Sequence, residues 1–270
     1  MRPRWRRPIK AAIVALTVFL ICWPYPSRLI LHLRHCRDLN ALIEPDAPGL
    51  SPYFDELRPK LVDVDAGQDA LKIVEKFVYQ KVPYAWDWDN WGVVDYLPTV
   101  DEVLTAGRED CDGRAVLAAS LLRGLGYQAD LVTDAVHMWV KTDRGETMSP
   151  GAMGTFVESS DAGVVIRWQA LTNIPKAFAY GIAVFPLIRE LIVVAVIWIL
   201  TLRRRIRWRV IGLALLVFVD GLLILRLAGS NPWNPNAAGQ WFATANLLFA
   251  LFLLHRAGRG SSTTTPAASA

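Results

Sequence analysis

The chain has 270 residues, 53% of them hydrophobic, and a mean hydropathy of +0.27, which is too apolar for one ordinary soluble domain and long enough for a domain plus membrane spans. The formal charge of +4 is unevenly divided: Arg28 to Lys176 holds 15 Lys/Arg against 23 Asp/Glu, and the remainder holds 14 basic residues against 2 acidic ones. The basic balance therefore belongs to membrane flanks and argues against a nucleic-acid surface.

Arg2 to Lys10 carries five positive residues, and Ala11 to Trp23 is apolar except for Thr17. A basic segment before a short apolar run also suits a secretory signal. No small-x-small cleavage motif follows, because Pro24, Tyr25 and Pro26 come next; Ile21 stands where lipid attachment at Cys22 would want a small residue. Residues 1–26 are read as a cytoplasmic basic segment and an uncleaved signal anchor. Ser27 to Val64 is amphipathic. Its HLRHC stretch, with His32, His35 and Cys36, has metal-like spacing, but no second ligand cluster accompanies it. A polar face on a membrane-proximal helix is the simpler reading. Pro45, Pro48, Gly49 and Pro52 then break the chain.

Gln68 to Val82 places Leu71, Ile73, Val74, Phe77 and Val78 at helical spacing and predicts an amphipathic core helix. The aromatic, acidic run VPYAWDWDNWGVVDYLP follows, with Asp87, Asp89 and Asp95 among its rings. It reads as a loop packed over the core, with a substrate platform or a cation site as the functional alternatives. Thr99 and Glu102 form a capping box that opens a short helix, which Gly107 ends. Cys111 begins another helix running to about Arg123, and Gly124 and Gly126 stop it. Tyr127–Thr133 and Val136–Thr142 alternate as strands. Asp143-Arg144-Gly145 predicts a turn, with a hairpin return through Thr147 and Met148.

From Ala177 the chain is apolar. Spans are predicted over Ala177–Leu200, Val210–Leu225 and Trp241–Leu254, each needing roughly 20 residues. Arg189, Glu190 and Asp220 interrupt them. The reading adopted is an Arg189–Asp220 pair locking two helices, or spans that begin later. The arginine-rich joint Arg203–Arg209 and the absence of Lys and Arg from Ala228–Gln240 give one topology under the positive-inside rule. The N-terminus and the arginine joint are cytoplasmic, and residues 27–176 lie outside. The domains are thus 1–26 as anchor, 27–176 as extracytoplasmic domain, 177–256 as three transmembrane helices and 257–270 as a disordered tail.

Three cysteines make no disulfide framework. A Cys36–Cys111 bridge would remove the nucleophile proposed below, so Cys111 is expected as a free thiol. A helix N-terminus and a nearby imidazole both lower a thiol pKa. Asp110 and Asp112 act the other way unless they point away or bind a cation. One helix and one strand separate Cys111 from His137, which can bring a nucleophile and a base to one edge.

The run GREDCDGRA…LLRGLGYQADLV…HMWV resembles the core of the transglutaminase-like cysteine hydrolases, a papain-like superfamily. DYLPTVDEVLTAGREDC is similar to the lead-in of bacterial transglutaminase-like cysteine proteinases. The resemblance covers Val82 to Pro150. It implies an α+β, papain/transglutaminase-like soluble domain beside an α-helical membrane region, and a peptide or protein substrate. It implies Cys111 as nucleophile and His137 as base. Glu109 stands where the family has glycine, and Ser149-Pro150 stands in place of the family's Asp-Pro. Ser149 can orient the imidazole but cannot stabilise it by charge; Asp143 and Glu146 are the alternatives. Acids near the nucleophile bind calcium in the bacterial branch, which implies a calcium site at Asp110 and Asp112, although Gly113 follows where a further acid would help. The chemistry itself requires no cofactor. The expected protein is a membrane-anchored thiol hydrolase, a peptidase or amidase; the alternative is an inactive binding or assembly module of the cell envelope.

Overall fold

The computed structural model describes residues 3–62, 64, 67–134, 136–149, 157–160, 163–166, 174–201, 208–231, 234 and 236–257. Pro150, most of the arginine joint and the C-terminal tail, on which sequence expectations fall, lie outside these residues. Contacts divide the chain into two units, Phe19–Ala177 and Met1–Val18 with Phe178–Ala270.

The helices are α1 (Pro3–Cys22), α2 (Pro26–His35), α3 (Ser51–Leu57), α4 (Gln68–Lys81), α5 (Asp87–Asn90), α6 (Val100–Ala106), α7 (Cys111–Gly124), α8 (Ile174–Val184), α9 (Leu187–Thr201), α10 (Trp208–Gly229) and α11 (Ala237–Ala257). Among the described residues, strands β1 (Ala129–Thr133), β2 (Met138–Thr142), β3 (Gly145–Thr147), β4 (Val157–Ser160) and β5 (Gly163–Ile166) form one antiparallel sheet. Their order is β3-β2-β1-β4-β5. The Phe19–Ala177 unit is therefore α+β.

Its core forms because two periodicities meet. α4 turns Leu71, Val74, Phe77 and Val78 inward, while α7 buries everything from Ala115 to Leu122. Leu131, Val140 and Trp139 from the sheet complete the same cluster. A helix apolar all round belongs inside, so α7 is the central element and its N-terminus is held rigidly. The capping box at Thr99 is present, and Gly107 ends α6 at φ 64°, a left-handed turn that glycine adopts without steric cost. In β2–β3, Val140 pairs with Thr147. Continuing that register brings Met148 and Ser149 alongside Trp139 and Met138.

The HLRHC stretch on α2 is a tethered polar face. His35 Nδ1 lies 2.6 Å from the Leu97 carbonyl, and His32 Nε2 lies 3.3 Å from Cys36 Sγ and 3.8 Å from an Asp95 oxygen. In the aromatic run, Tyr96 is buried, and Trp86 and Trp88 stack with centroids 4.7 Å apart.

In the other unit, α10 and most of α11 are long and apolar enough to cross a membrane, and up to four spans result if each bent helix pair is one span. The predicted Ala177–Leu200 span is broken: α8 and α9 meet at 106°, at Phe185-Pro186, where proline cannot donate to the helix ladder. Arg226 supplies the missing donors, bonding the carbonyls of Ala183 at 3.2 Å and Phe185 at 2.8 Å as well as Glu190. The expected Arg189–Asp220 pair gives way to this arrangement, and Asp220 instead accepts from Asn246 Nδ2 at 2.7 Å. α10 and α11 approach through small residues. A Cβ at Gly221 would lie 3.1 Å from the Ala243 carbonyl oxygen, the close backbone contact on which helix association in lipid depends.

Candidate active site

α7 begins at Cys111 because Asp110 caps it: the Asp110 carboxylate accepts the Asp112 N–H at 3.0 Å. Asp-to-N2 bonds of this kind satisfy donors the helix leaves open. The Cys111 sulfur lies 3.4 Å from Asp112 Oδ1, to which it can donate. The backbone N–H of Met138, first in β2, acts on the same thiol, favouring its ionised form. The start of α7 thus abuts the start of β2, one residue after His137. All three cysteines are free.

Cys111 is the free thiol that was expected, and its surroundings set its acidity. Burial pushes its pKa well above the ordinary value, Asp112 and Asp110 add to the rise, and the Met138 N–H only opposes it. A helix N-terminus contributes a fraction of a charge, whereas two adjacent carboxyls and loss of water act on a full one. At neutral pH Cys111 is a thiol, and its proton must be removed during any reaction.

His137 is set by a turn. One Asp134 oxygen accepts the N–H groups of Val136 at 2.7 Å and His137 at 2.9 Å. The ring then reaches across the sheet, with Nε2 2.8 Å from the Met148 carbonyl oxygen. A carbonyl only accepts, so Nε2 carries a hydrogen, and in the neutral ring the lone pair is on Nδ1. Met148 has φ 60°, a conformation costly for any residue but glycine and held only where its surroundings demand it. Glu75 on α4 supplies that demand: its carboxylate accepts Met148 N at 2.9 Å and Thr147 Oγ1 at 2.8 Å.

The acceptor at Nε2 is therefore a backbone carbonyl, and Ser149 is the next residue along. Asp143 pairs with its neighbour Arg144 in the exposed turn, and Glu146 is exposed on β3 opposite Lys141. Glu75 and Met148 were not legible in the sequence, since nothing local links an α4 glutamate to a strand 73 residues away. Asp134 was missed as well, although an aspartate three residues before His137 fits an Asx turn. Replacing Glu75 with alanine frees the Met148 peptide. We expect roughly tenfold slower alkylation of Cys111, on the scale of one lost charged hydrogen bond. The 15N shifts of the His137 ring should move from a fixed Nε2–H tautomer to a mixture; an unchanged ring spectrum would remove Glu75 from the site.

A buried acidic group adjoins the nucleophile. Asp87, Glu109 and Asp110 each offer an oxygen within 4.8 Å of the others. Glu109, at the family's glycine position, is fully buried and accepts from Asn90 at 2.6 Å, Trp91 Nε1 at 2.5 Å and Asp110 N at 3.1 Å. It also explains Gly113, where a Cβ would meet Glu109 Cγ at 2.4 Å. Asp87 accepts Tyr96 N at 2.5 Å through one oxygen, and its other oxygen is buried with no partner among the described residues. Burial, then Asp110, Asp112 and Asp95, raise Asp87 well above the carboxylate range. Burial, with Glu109 adding to it and the Asp112 N–H opposing it, pushes Asp110 up to about 8. Asp110, Cys111 and Asp112 form a second group with donors within 4.8 Å. A thiol is a poor partner for calcium, which takes six to eight oxygens, whereas the carboxylates of both groups together are oxygen donors of the right kind.

Compared with known proteins, the chain matches no family model and no curated sequence.

Proposed function

We propose that this protein is a membrane-anchored thiol hydrolase with a papain/transglutaminase-like soluble domain outside the cytoplasm, acting on a peptide or protein amide. One observation carries the reading. His137 Nε2 lies 2.8 Å from the Met148 carbonyl oxygen, and the N–H of the next residue, Met138, acts on the Cys111 thiol. That arrangement supports a reading in which a base and a helix-initiating thiol share one sheet edge.

In the proposed reaction, the sulfur attacks the amide carbon while its proton passes to His137 Nδ1. The C–N bond breaks as that proton moves to the leaving amine, leaving a thioester on Cys111. Water then adds its hydroxyl to the acyl carbon, giving its proton to Nδ1, and the thiol is released. The Met148 carbonyl orients the imidazole through both steps, and Ser149 sits beside it. A carbonyl dipole stabilises an imidazolium less than a carboxylate does. Calcium, if held by Asp110 and Asp112 with the neighbouring carboxylates, would relieve the charge that opposes thiolate formation.

The experiment is acyl-enzyme trapping. Full-length protein treated with an activated peptide ester and quenched in acid should show one acyl adduct by intact mass, mapped to Cys111 and absent in Cys111→Ala. A high thiol pKa also suits a binding module, and no adduct under any condition would leave that as the reading.

A further inference from the structure

Arg114 lies three residues after Cys111 on α7, so it shares a face with the sulfur. Its Nε donates to the Val82 carbonyl at 2.9 Å. Its guanidinium carbon lies 5.0 Å from the ring centroids of both Tyr79 and Tyr84. Both tyrosines are exposed, at 41% and 47%, so the assembly opens to solvent. Among the described residues, neither terminal nitrogen of Arg114 has a hydrogen-bond or ion-pair partner. The two acids at the start of the helix are engaged elsewhere: Asp110 caps α7 through the Asp112 N–H, and the Asp112 carboxylate lies 3.4 Å from the Cys111 sulfur. The sulfur of Cys111 is within electrostatic range of both Arg114 and Tyr79.

This arrangement is more than a strut. One nitrogen and two aromatic faces hold the guanidinium plane, and they leave the terminal N–H edge open beside the nucleophile. A fork fixed in advance loses little freedom when it binds, and its geometry matches a carboxylate at two points. Lysine in its place would be an undirected charge.

We propose that Arg114, clasped by Tyr79 and Tyr84, is a specificity-determining residue that binds a carboxylate of the substrate, so the preferred substrate is an acidic peptide. The inference rests on the thiol-hydrolase reading for its location beside the scissile bond. The tyrosine rings support the fork and pack against the carbon chain of the bound Asp or Glu.

The test separates binding from chemistry. Full-length Cys111→Ala in nanodiscs is titrated with fluorescent hexapeptides carrying one Glu at each position in turn, and with their Gln isosteres, read by anisotropy. At one position Glu should bind about tenfold tighter than Gln, the scale of a charged hydrogen-bond pair. That ratio should collapse to near unity when Arg114→Gln is added and be partly kept by Arg114→Lys. Near-UV circular dichroism confirms that both variants fold. Equal binding of Glu and Gln peptides at every position, no binding at millimolar peptide, or a preference that survives Arg114→Gln would each overturn the proposal. Failure of Cys111 to form an acyl adduct in the wild type, with the Glu preference intact, would instead remove the hydrolase reading and leave the subsite.

Discussion

His137→Ala should slow acyl transfer to Cys111 by about 10²–10⁴-fold at pH 7, the usual contribution of a positioned general base. The expectation follows from the state of the thiol. Burial and two adjacent aspartates hold the Cys111 proton on, so the sulfur has little thiolate to offer and depends on a base at the moment of attack. Two further readouts distinguish this from damage to the fold. Added imidazole should restore part of the rate in His137→Ala, and raising the pH should restore more of it in the variant than in the wild type. A wild type that reacts as slowly as His137→Ala, with no rescue, would mark Cys111 as an inert buried cysteine.

The second large effect is on stability. In the folded protein Asp110 keeps its proton up to about pH 8, while an aspartate in an unfolded chain releases it near pH 3.9. The native state therefore holds more protons across that window, and stability falls as pH rises through it. The stabilisation is fully present below pH 3.9 and gone above 8. Between pH 5 and 8 we expect roughly 2–4 kcal/mol of loss, visible as a falling Tm in chelator. Asp87→Asn removes the acid whose inner oxygen has no partner among the described residues. It should raise Tm at pH 8 by several degrees, at roughly 2–4 °C per kcal/mol, and flatten the pH dependence. If millimolar calcium raises Tm in the wild type and this gain disappears in Asp87→Asn, the carboxylates hold a cation instead of protons.

How much of this was legible in the chain varies with the range of the forces involved. The boundaries of α4, α6 and α7 follow from local signals: helical spacing of apolar residues, the Thr99–Glu102 box and glycine at position 107. The strand pairing of β2 with β1 and β3 follows from alternation and from the Asp143-Arg144-Gly145 turn. β4 and β5 were not foreseen, because four-residue strands give too few alternations to read. In the unit of long apolar helices, hydropathy located apolar stretches but not the break at Phe185-Pro186, nor Arg226 filling it. Helix breaks in lipid are set by whichever distant donor reaches the freed carbonyls.

The sequence by itself determined the division into an acidic α+β unit and apolar helices, and the placement of Cys111 at a helix start and His137 before a strand. Those features depend on residues a few positions apart, where backbone propensity and periodicity act directly. Tertiary structure alone decided three things. It decided the charge state of Cys111, because burial and the approach of Asp112 outweigh the helix terminus. It decided that a Met148 carbonyl, its peptide held by Glu75, meets Nε2 of the imidazole. It decided that Arg114 presents an open, clasped fork beside the nucleophile. Each depends on groups brought within a few ångströms by the packing of α4 and α7 on the sheet, and electrostatic and hydrogen-bond energies at that range are invisible to spacing along the chain.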